Sequence, residues 1–169
     1  IVAVLEAQTT LSFTHLSNGG AGIAVSEDCR RVTHTRGSEW DWAIGTTALR
    51  KGGCVRLTVH QADDGLTIGV IGTTDPGDVW HGYSSRHATA HGWCGGGDGY
   101  VYLAGQYNRG HGGWPRGGWQ TGDTAALMLD TTTGTLTLKH RRYGRAFAIS
   151  LAGVPPRPQP NAAGHALRV

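Results

Sequence analysis

Residues 122–147 constrain the fold more than any other stretch of the chain, because polar and apolar side chains alternate along them. In the run 135–140, two leucines point one way while two threonines and a lysine point the other. This is the period-two pattern of a strand with one buried face. A second such run spans 125–130, and Asp130 and Gly134 supply turn chemistry between the two. The stretch therefore predicts a β-hairpin.

Other runs along the chain also favour strands. Run 54–60 alternates apolar and polar residues, and run 146–151 places three large apolar side chains on one face. Run 66–71 is apolar or small on both faces, which predicts a central strand in which Gly69 allows close packing. Further predicted strands lie at 1–5, 9–13, 22–26, 32–35 and 100–103, and run 32–35 is expected to pair with the run before it.

The composition favours strands and turns over helices. Glycine accounts for 28 of the 169 residues, and no window keeps apolar residues at helical spacing for three turns. A chain of this length is one domain and can bury a two-layer core. We predict a single all-β domain over 1–169, a two-layer antiparallel β-sandwich with little or no helix. We expect a proline-rich excursion at 155–164, after which 165–169 could return as a last strand.

Net charge and cysteine content bear on the kind of partner and on the cellular compartment. The net charge of +3 is a mild excess and by itself gives no nucleic-acid footprint. Cys29, Cys54 and Cys94 are odd in number and lack CxxC spacing, so we expect reduced, buried thiols in an intracellular, cytoplasmic protein. No apolar run approaches a membrane span. Because the chain begins without Met, we expect it to be part of a longer protein.

Several motifs occur in an order that resembles one family. The chain carries LTIGVIGTT at 66–74, Gly-Tyr at 82–83 and Gly-Trp at 92–93. Gly-Asp at 122–123 then leads through Leu-Asp and Gly-Thr-Leu-Thr-Leu to Gly-x-Ala-Phe, which ends at 147. This series resembles the SPRY domain family. The resemblance implies a concanavalin-like, jelly-roll β-sandwich that binds other proteins and is not an enzyme.

One turn departs from that family pattern. Members usually have an Asn-Gly or Asp-Gly turn before the final motif, whereas this chain has Arg-Arg-Tyr at 141–143. The sequence thus does not predict a tight type I′ turn here, and the turn must use another geometry. The chain is expected to be a divergent member.

Aromatic residues in glycine-rich connections are the best sequence signal for function. Trp, Tyr and Arg dominate interface hot spots, and loops on a rigid scaffold commonly carry binding residues. Trp93 and Trp119 adjoin strands and are predicted to fill the core. For four others the sequence leaves surface and core open as alternatives: Trp40, Trp42, Tyr83 and Trp114.

The resemblance places a shallow peptide pocket at the loop end of the sandwich, around 40–46, 80–87 and 108–114. Tyr83 matches an aromatic residue that contacts peptide in some members. Loop arginines could pair with an acidic peptide. We therefore predict that a protein or peptide partner contacts Arg36, Trp40, Trp42, Gly45, Thr46, Trp80, Tyr83, Arg86, Arg109, Trp114 and Val154.

Catalytic and metal chemistry are not favoured. His87 and His91 with Cys94 have tolerable spacing for three zinc ligands, but a fourth is not evident. Ser84 and Ser85 lack the Gly-x-Ser-x-Gly context of a nucleophile elbow. Acidic residues cluster at turns, whereas a glycan-cleaving sandwich needs two carboxylates on strands. We predict a monomeric, non-catalytic domain with no cofactor and no metal.

Two other functions stay open. A lectin-like module on the same architecture would stack exposed tryptophan on sugar rings. The basic hairpin at 139–145 could contact RNA phosphates, although it lacks a recognised RNA-binding motif. Protein binding remains the favoured hypothesis.

Overall fold

The computed structural model describes residues 4–7, 12–16, 22–35, 41–45, 54–62, 65–72 and 89–151. Strands dominate this part of the chain, which contains a single short 3-10 turn at His111–Gly113. The strands are β1 (Val4–Ala7), β2 (Phe13–Leu16), β3 (Ile23–Val25), β4 (Arg31–His34), β5 (Ala43–Gly45), β6 (Cys54–Gln61), β7 (Thr67–Ile71), β8 (Ala90–Cys94), β9 (Tyr100–Leu103), β10 (Gln106–Arg109), β11 (Thr124–Asp130), β12 (Thr135–His140) and β13 (Arg145–Ser150).

The strands form antiparallel sheets that pack as a sandwich. A seven-stranded sheet has the order β13-β12-β11-β6-β1-β4-β3, and a four-stranded sheet has the order β10-β9-β8-β7. β2 and β5 form a separate two-stranded ribbon. The prediction of an all-β, two-layer antiparallel β-sandwich is confirmed. No helix in the described residues is long and apolar enough to cross a membrane.

The predicted hairpin at the C-terminal end of the described chain is β11–β12. Leu127 faces Leu138 across it, and Leu138 in turn faces Phe147 on β13. The carboxylate of Asp130 accepts a hydrogen bond from the backbone N–H of Thr132 at 2.8 Å, which begins the turn. Alternation along β11, β12 and β13 therefore sends one row of side chains into the core, as the sequence indicates.

The turn between β12 and β13 needs no Asn-Gly pair. The backbone N–H of Gly144 donates to the carbonyl oxygen of Arg141 at 3.0 Å. Gly144 has φ 60°, a left-handed conformation that glycine adopts without a Cβ penalty. A four-residue turn ending in glycine thus connects β12 to β13.

The main core lies between the two large sheets. Leu136, Leu138 and Ile149 contribute from the seven-stranded sheet and are fully buried. Trp93 and Val101 belong to the same cluster and come from β8 and β9. The predicted core roles of Trp93 and of Trp119, which is also buried, are confirmed.

Two predictions about strand position need correction. β7 is the last strand of its sheet in the described part rather than a central one. β8 and β10 are strands that the sequence patterns did not predict. The close packing expected at Gly69 is present, because a Cβ there would lie 2.0 Å from the carbonyl oxygen of His91 on β8. The pairing of Gly69 with Gly92 makes this approach possible.

The cysteines also differ from expectation in part. Cys29, Cys54 and Cys94 are all free, and Cys94 is buried as predicted. Cys54, however, is exposed, because it begins β6 on the face opposite to the inward residues Val55 and Leu57. The predicted excursion at 155–164 and the last strand at 165–169 lie outside the described residues.

Replacement of Leu138 by alanine tests the inward row. The change removes a fully buried side chain between β11 and β13, so we expect the free energy of unfolding to fall by about 2–5 kcal/mol. The matched control Thr137→Ala lies on the outer face of the same strand and should change it by less than about 1 kcal/mol. Denaturant titration of both variants makes the comparison. Equal losses would contradict the assigned faces.

Candidate functional site

The structure brings few of the predicted partner contacts to a described surface. Seven of these residues lie outside the described part: Arg36, Trp40, Thr46, Trp80, Tyr83, Arg86 and Val154. The four that are described are Trp42, Gly45, Arg109 and Trp114. Of these four, Arg109 alone is exposed.

Trp114 is a core residue. Its side chain is 2% exposed, and its ring meets that of Phe147 edge-on at 4.9 Å between centroids. The indole N–H donates to the carbonyl oxygen of Cys94 at 2.8 Å, so the polar atom of this ring is satisfied inside the sandwich. This corrects the prediction that Trp114 contacts a partner.

Trp42 and Gly45 are buried as well. Trp42, on the segment that leads into β5, is 9% exposed and packs in a second cluster with Ile44, Ile71 and Ala90. Gly45 ends β5 and is also buried. Neither presents a surface on which a partner could dock, which corrects the corresponding predictions.

Arg109, the last residue of β10, contacts Tyr100 on β9 and Asp98 in the turn before β9. Its Nη2 atom is 3.1 Å from Asp98 Oδ2 and donates to the hydroxyl of Tyr100 at 3.1 Å. That hydroxyl donates to Asp98 at 2.9 Å. The guanidinium carbon is also 5.4 Å from the centre of the Tyr100 ring. Arg109 is therefore held in place by its neighbours although its side chain is 72% exposed.

The pairing register of β9 and β10 assembles three tyrosines on this face. Val101 points into the core, so Tyr100 and Tyr102 lie on the outer side of β9. Tyr107 pairs with Tyr102, and Arg109 with Tyr100. The ring of Tyr107 meets those of Tyr100 and Tyr102 at 4.9 and 5.8 Å between centroids, both near edge-on.

We call these four residues (Tyr100, Tyr102, Tyr107 and Arg109) the tyrosine surface. Tyr107 is 54% exposed, the one large hydrophobic side chain that is exposed among the described residues. Every residue of β10 is exposed. Such a surface offers ring faces, phenol hydroxyls and a guanidinium, which suit stacking and hydrogen bonding to another molecule.

Arg109 is the one residue of this surface that the sequence analysis proposed as a partner contact. The three tyrosines were not proposed. The strand at 100–103 was predicted, but its tyrosines were not proposed as binding residues. The missing information was the hairpin between β9 and β10, because no strand was predicted at 106–109.

A buried ionic network lies on the inner side of the seven-stranded sheet. Asp123, whose side chain is 2% exposed, accepts hydrogen bonds from Arg142 Nε at 2.7 Å and Nη2 at 3.0 Å. The backbone N–H of Gln120 donates to the same carboxylate at 2.7 Å. This bidentate pairing is the strong form of an arginine–carboxylate interaction.

The same arginine ties the β12–β13 turn to the segment before β11. Arg142 Nη2 also donates to the carbonyl oxygen of Gly118 at 2.6 Å, and the hydroxyl of Tyr143 donates to that oxygen at 3.0 Å. The guanidinium carbon lies 4.1 Å from the centre of the Tyr143 ring. The network therefore serves to position these backbone segments.

His140 completes the network. Its Nε2 atom lies 3.2 Å from Asp123 Oδ2, and its side chain is fully buried. The imidazole packs against the rings of Tyr143 and Trp119, at 4.6 and 5.0 Å between centroids. The ring is therefore enclosed by aromatic side chains beside the carboxylate.

Burial governs the ionisation of His140. Desolvation lowers its pKa below the ordinary value of 6.5, even though the Asp123 carboxylate favours the charged form. Burial on its own would raise the pKa of Asp123, but the hydrogen bonds from Arg142 and from the Gln120 N–H outweigh it and lower that pKa. The network is thus a neutral imidazole beside a carboxylate paired with arginine.

The described residues give little support to the zinc spacing. His91 and Cys94 are both buried on β8, and the Nδ1 atom of His91 accepts a hydrogen bond from the backbone N–H of Ala104 at 3.4 Å. His87 lies outside the described residues. Within the described ranges, no three His, Cys, Asp or Glu side chains are grouped closely enough to hold a metal ion.

Comparison with known proteins does not assign this chain to a family. The chain matches no family model, and no curated protein matches it significantly.

The two neighbouring arginines of the β12–β13 turn provide a matched test of the buried network. Arg142→Ala would leave the Asp123 carboxylate buried without its cation, so we expect the free energy of unfolding to fall by about 3 kcal/mol. Arg141→Ala removes an exposed guanidinium and should change it by less than about 0.5 kcal/mol. Denaturant titration measures both. Similar losses from the two variants would show that the pair with Asp123 is not important for stability.

The lowered pKa of His140 predicts how stability depends on pH. Below pH 6.5 the unfolded chain takes up the proton before the folded one does, so stability should fall as pH falls through this range. His140→Gln removes that linkage and should reduce the slope by up to about 1.4 kcal/mol per pH unit. The pKa of His91 is also lowered by burial, so part of the slope should remain. Denaturant titrations between about pH 7 and about pH 5 measure the slopes. An unchanged slope in the variant would contradict the assignment.

Proposed function

We propose that this chain is a divergent SPRY-like module that binds a partner protein and is not an enzyme. The tyrosine surface is the observation that carries the proposal. It combines tyrosine and arginine, which are enriched among interface residues with large binding energies. Its most exposed member, Tyr107, presents an aromatic ring to solvent at little cost in conformational entropy on binding.

The scaffold beneath this surface is suited to binding. β9 pairs with β8 and β10, and Val101 anchors it in the main core. The salt bridge from Arg109 to Asp98 holds the guanidinium before a partner arrives. Preorganised side chains lose less entropy on binding, so a small surface can give a useful affinity.

The ionisable network fits a structural role better than a catalytic one. Asp123 is occupied by Arg142 and by a backbone N–H, and His140 is enclosed by aromatic rings. A general base must reach a substrate proton, and both of these groups are buried. The free cysteines support the further proposal that the module acts in a reducing, cytoplasmic setting.

The loop-end contacts that lie outside the described residues, Tyr83 among them, stay predictions for the same function. The lectin-like hypothesis is a second candidate, because exposed aromatic rings beside polar groups also bind sugars. The tyrosine surface therefore has to be tested with both kinds of ligand.

A photo-reactive phenylalanine analogue at position 107 tests the proposal directly. In cells it should form a defined protein adduct that is absent when the analogue replaces Thr132, an exposed residue in the β11–β12 turn. Tyr107→Ala with Arg109→Ala should weaken capture of the identified protein about tenfold or more, because aromatic and arginine anchors carry most of the energy of an interface. The thermal midpoint should stay nearly unchanged, since both side chains are exposed.

Two results would contradict the proposal. One is an adduct pattern that is the same at positions 107 and 132. The other is robust sugar binding on a glycan array that is lost in the double variant, which would favour the lectin-like function.

A further inference from the structure

A second surface lies on the outer face of the seven-stranded sheet, away from the tyrosine surface on the four-stranded sheet. Here a groove of about 690 Å³ crosses β6, β11, β12 and the start of β13. Its lining contains cationic side chains and no acidic one: the cations are Arg56, Lys139, Arg141 and Arg145.

The pairing register explains the shape of this groove. Arg56 faces Ala126, Ala126 faces Lys139, and Lys139 faces Ala146. The small side chain of Ala126 therefore forms the floor between the two long cationic ones, and Ala146 lies beyond Lys139. Since neighbouring strands lie about 4.8 Å apart, the backbones of Arg56 and Lys139 are about 10 Å apart, two strand spacings.

The cations of the hairpin divide into two groups. Arg142 is bound to Asp123, and Arg145 donates to the carbonyl oxygen of Gly113 and lies over the Phe147 ring. Lys139 and Arg141, in contrast, have no ion-pair partner among the residues the structure describes.

Arg56 likewise lacks an ion-pair partner within the described part of the sandwich. We define the cationic groove by the three residues Arg56, Lys139 and Arg141. Three like charges close together on one sheet face are mutually repulsive, and an anionic ligand would relieve that repulsion.

We propose that the cationic groove binds an extended acidic segment of a partner protein. Alternate side chains of an extended segment lie about 7 Å apart on one side. Lys139 and Arg141 are likewise two residues apart, Lys139 on β12 and Arg141 just after it, where its backbone N–H still donates to Thr124 on β11. Carboxylates at such positions could pair with Lys139 and with the planar fork of Arg141. The alanine floor at Ala126 and Ala146 leaves room for the backbone of the segment.

Two other occupants fit less well. The chain's own segment 152–169 contains two arginines and no acidic residue, so its charge is not complementary. Single-stranded nucleic acid is bound through bases stacked on aromatic rings, and the one aromatic ring among the lining residues is that of His140, which is buried. An acidic protein segment needs only the cations and the narrow floor.

Fluorescence anisotropy with a labelled peptide of about ten glutamates tests the proposal, with a neutral glycine–serine peptide and an oligouridylate as comparison probes. We expect the acidic peptide to bind more tightly than both. Its affinity should fall as salt rises, because exposed ion pairs are screened. The variant Arg56→Glu with Lys139→Glu should weaken this binding about tenfold or more, since each reversal replaces an attraction by a repulsion.

The matched control is Arg30→Glu with Arg116→Glu, which makes the same change in net charge at exposed positions that do not line the groove. This control should retain most of the binding, and both double variants should unfold at nearly the wild-type midpoint. Equal weakening by the two double variants would overturn the proposal, as would the absence of acidic-peptide binding at low salt. Tighter binding of the oligouridylate would assign the groove to RNA instead. Tyr107→Ala should leave acidic-peptide binding intact, so this test and that of the tyrosine surface can fail separately.

Discussion

The buried carboxylate of Asp123 is the constraint on which the C-terminal part of the sandwich depends. A charge removed from water needs a partner in good geometry, and Arg142 supplies a bidentate one from the turn between β12 and β13. Because Arg142 also binds the carbonyl oxygen of Gly118, a single side chain joins this turn to the segment that leads into β11. The packing of His140 and Trp119 beside the carboxylate follows from this junction.

The basic residues of the β12–β13 hairpin lie in two different environments. The buried imidazole of His140 ends β12 beside Asp123, and Arg142 pairs with that carboxylate from the turn. Lys139 is exposed on β12 and lines the outer groove together with Arg141. Arg142 and Arg145 are engaged by groups within the fold, whereas Lys139 and Arg141 have no ion-pair partner among the described residues.

The sequence predicts the strands whose two faces differ. β6, β11, β12 and β13 each bury one row of side chains, and their runs were recognised for that reason. β8 is buried on both faces and β10 is exposed on both, so neither has a period-two signal. The tryptophans were ambiguous for a related physical reason. Trp114 could be placed in the core only once Cys94 was known to supply an acceptor for its N–H.

The tyrosine surface depends on the turn between β9 and β10, which the sequence does not predict. Two residues, Ala104 and Gly105, connect β9 to β10, and both have positive φ, at 50° and 75°. Such turns match the twist of a hairpin but usually carry asparagine or glycine at the first position, where this chain has alanine. The turn fixes the pairing of Tyr107 with Tyr102, and a shift of one residue would send Tyr107 to the opposite face. The tyrosine surface therefore depends on the turn in which Ala104 takes a positive φ, because that turn sets the register of β10 on β9.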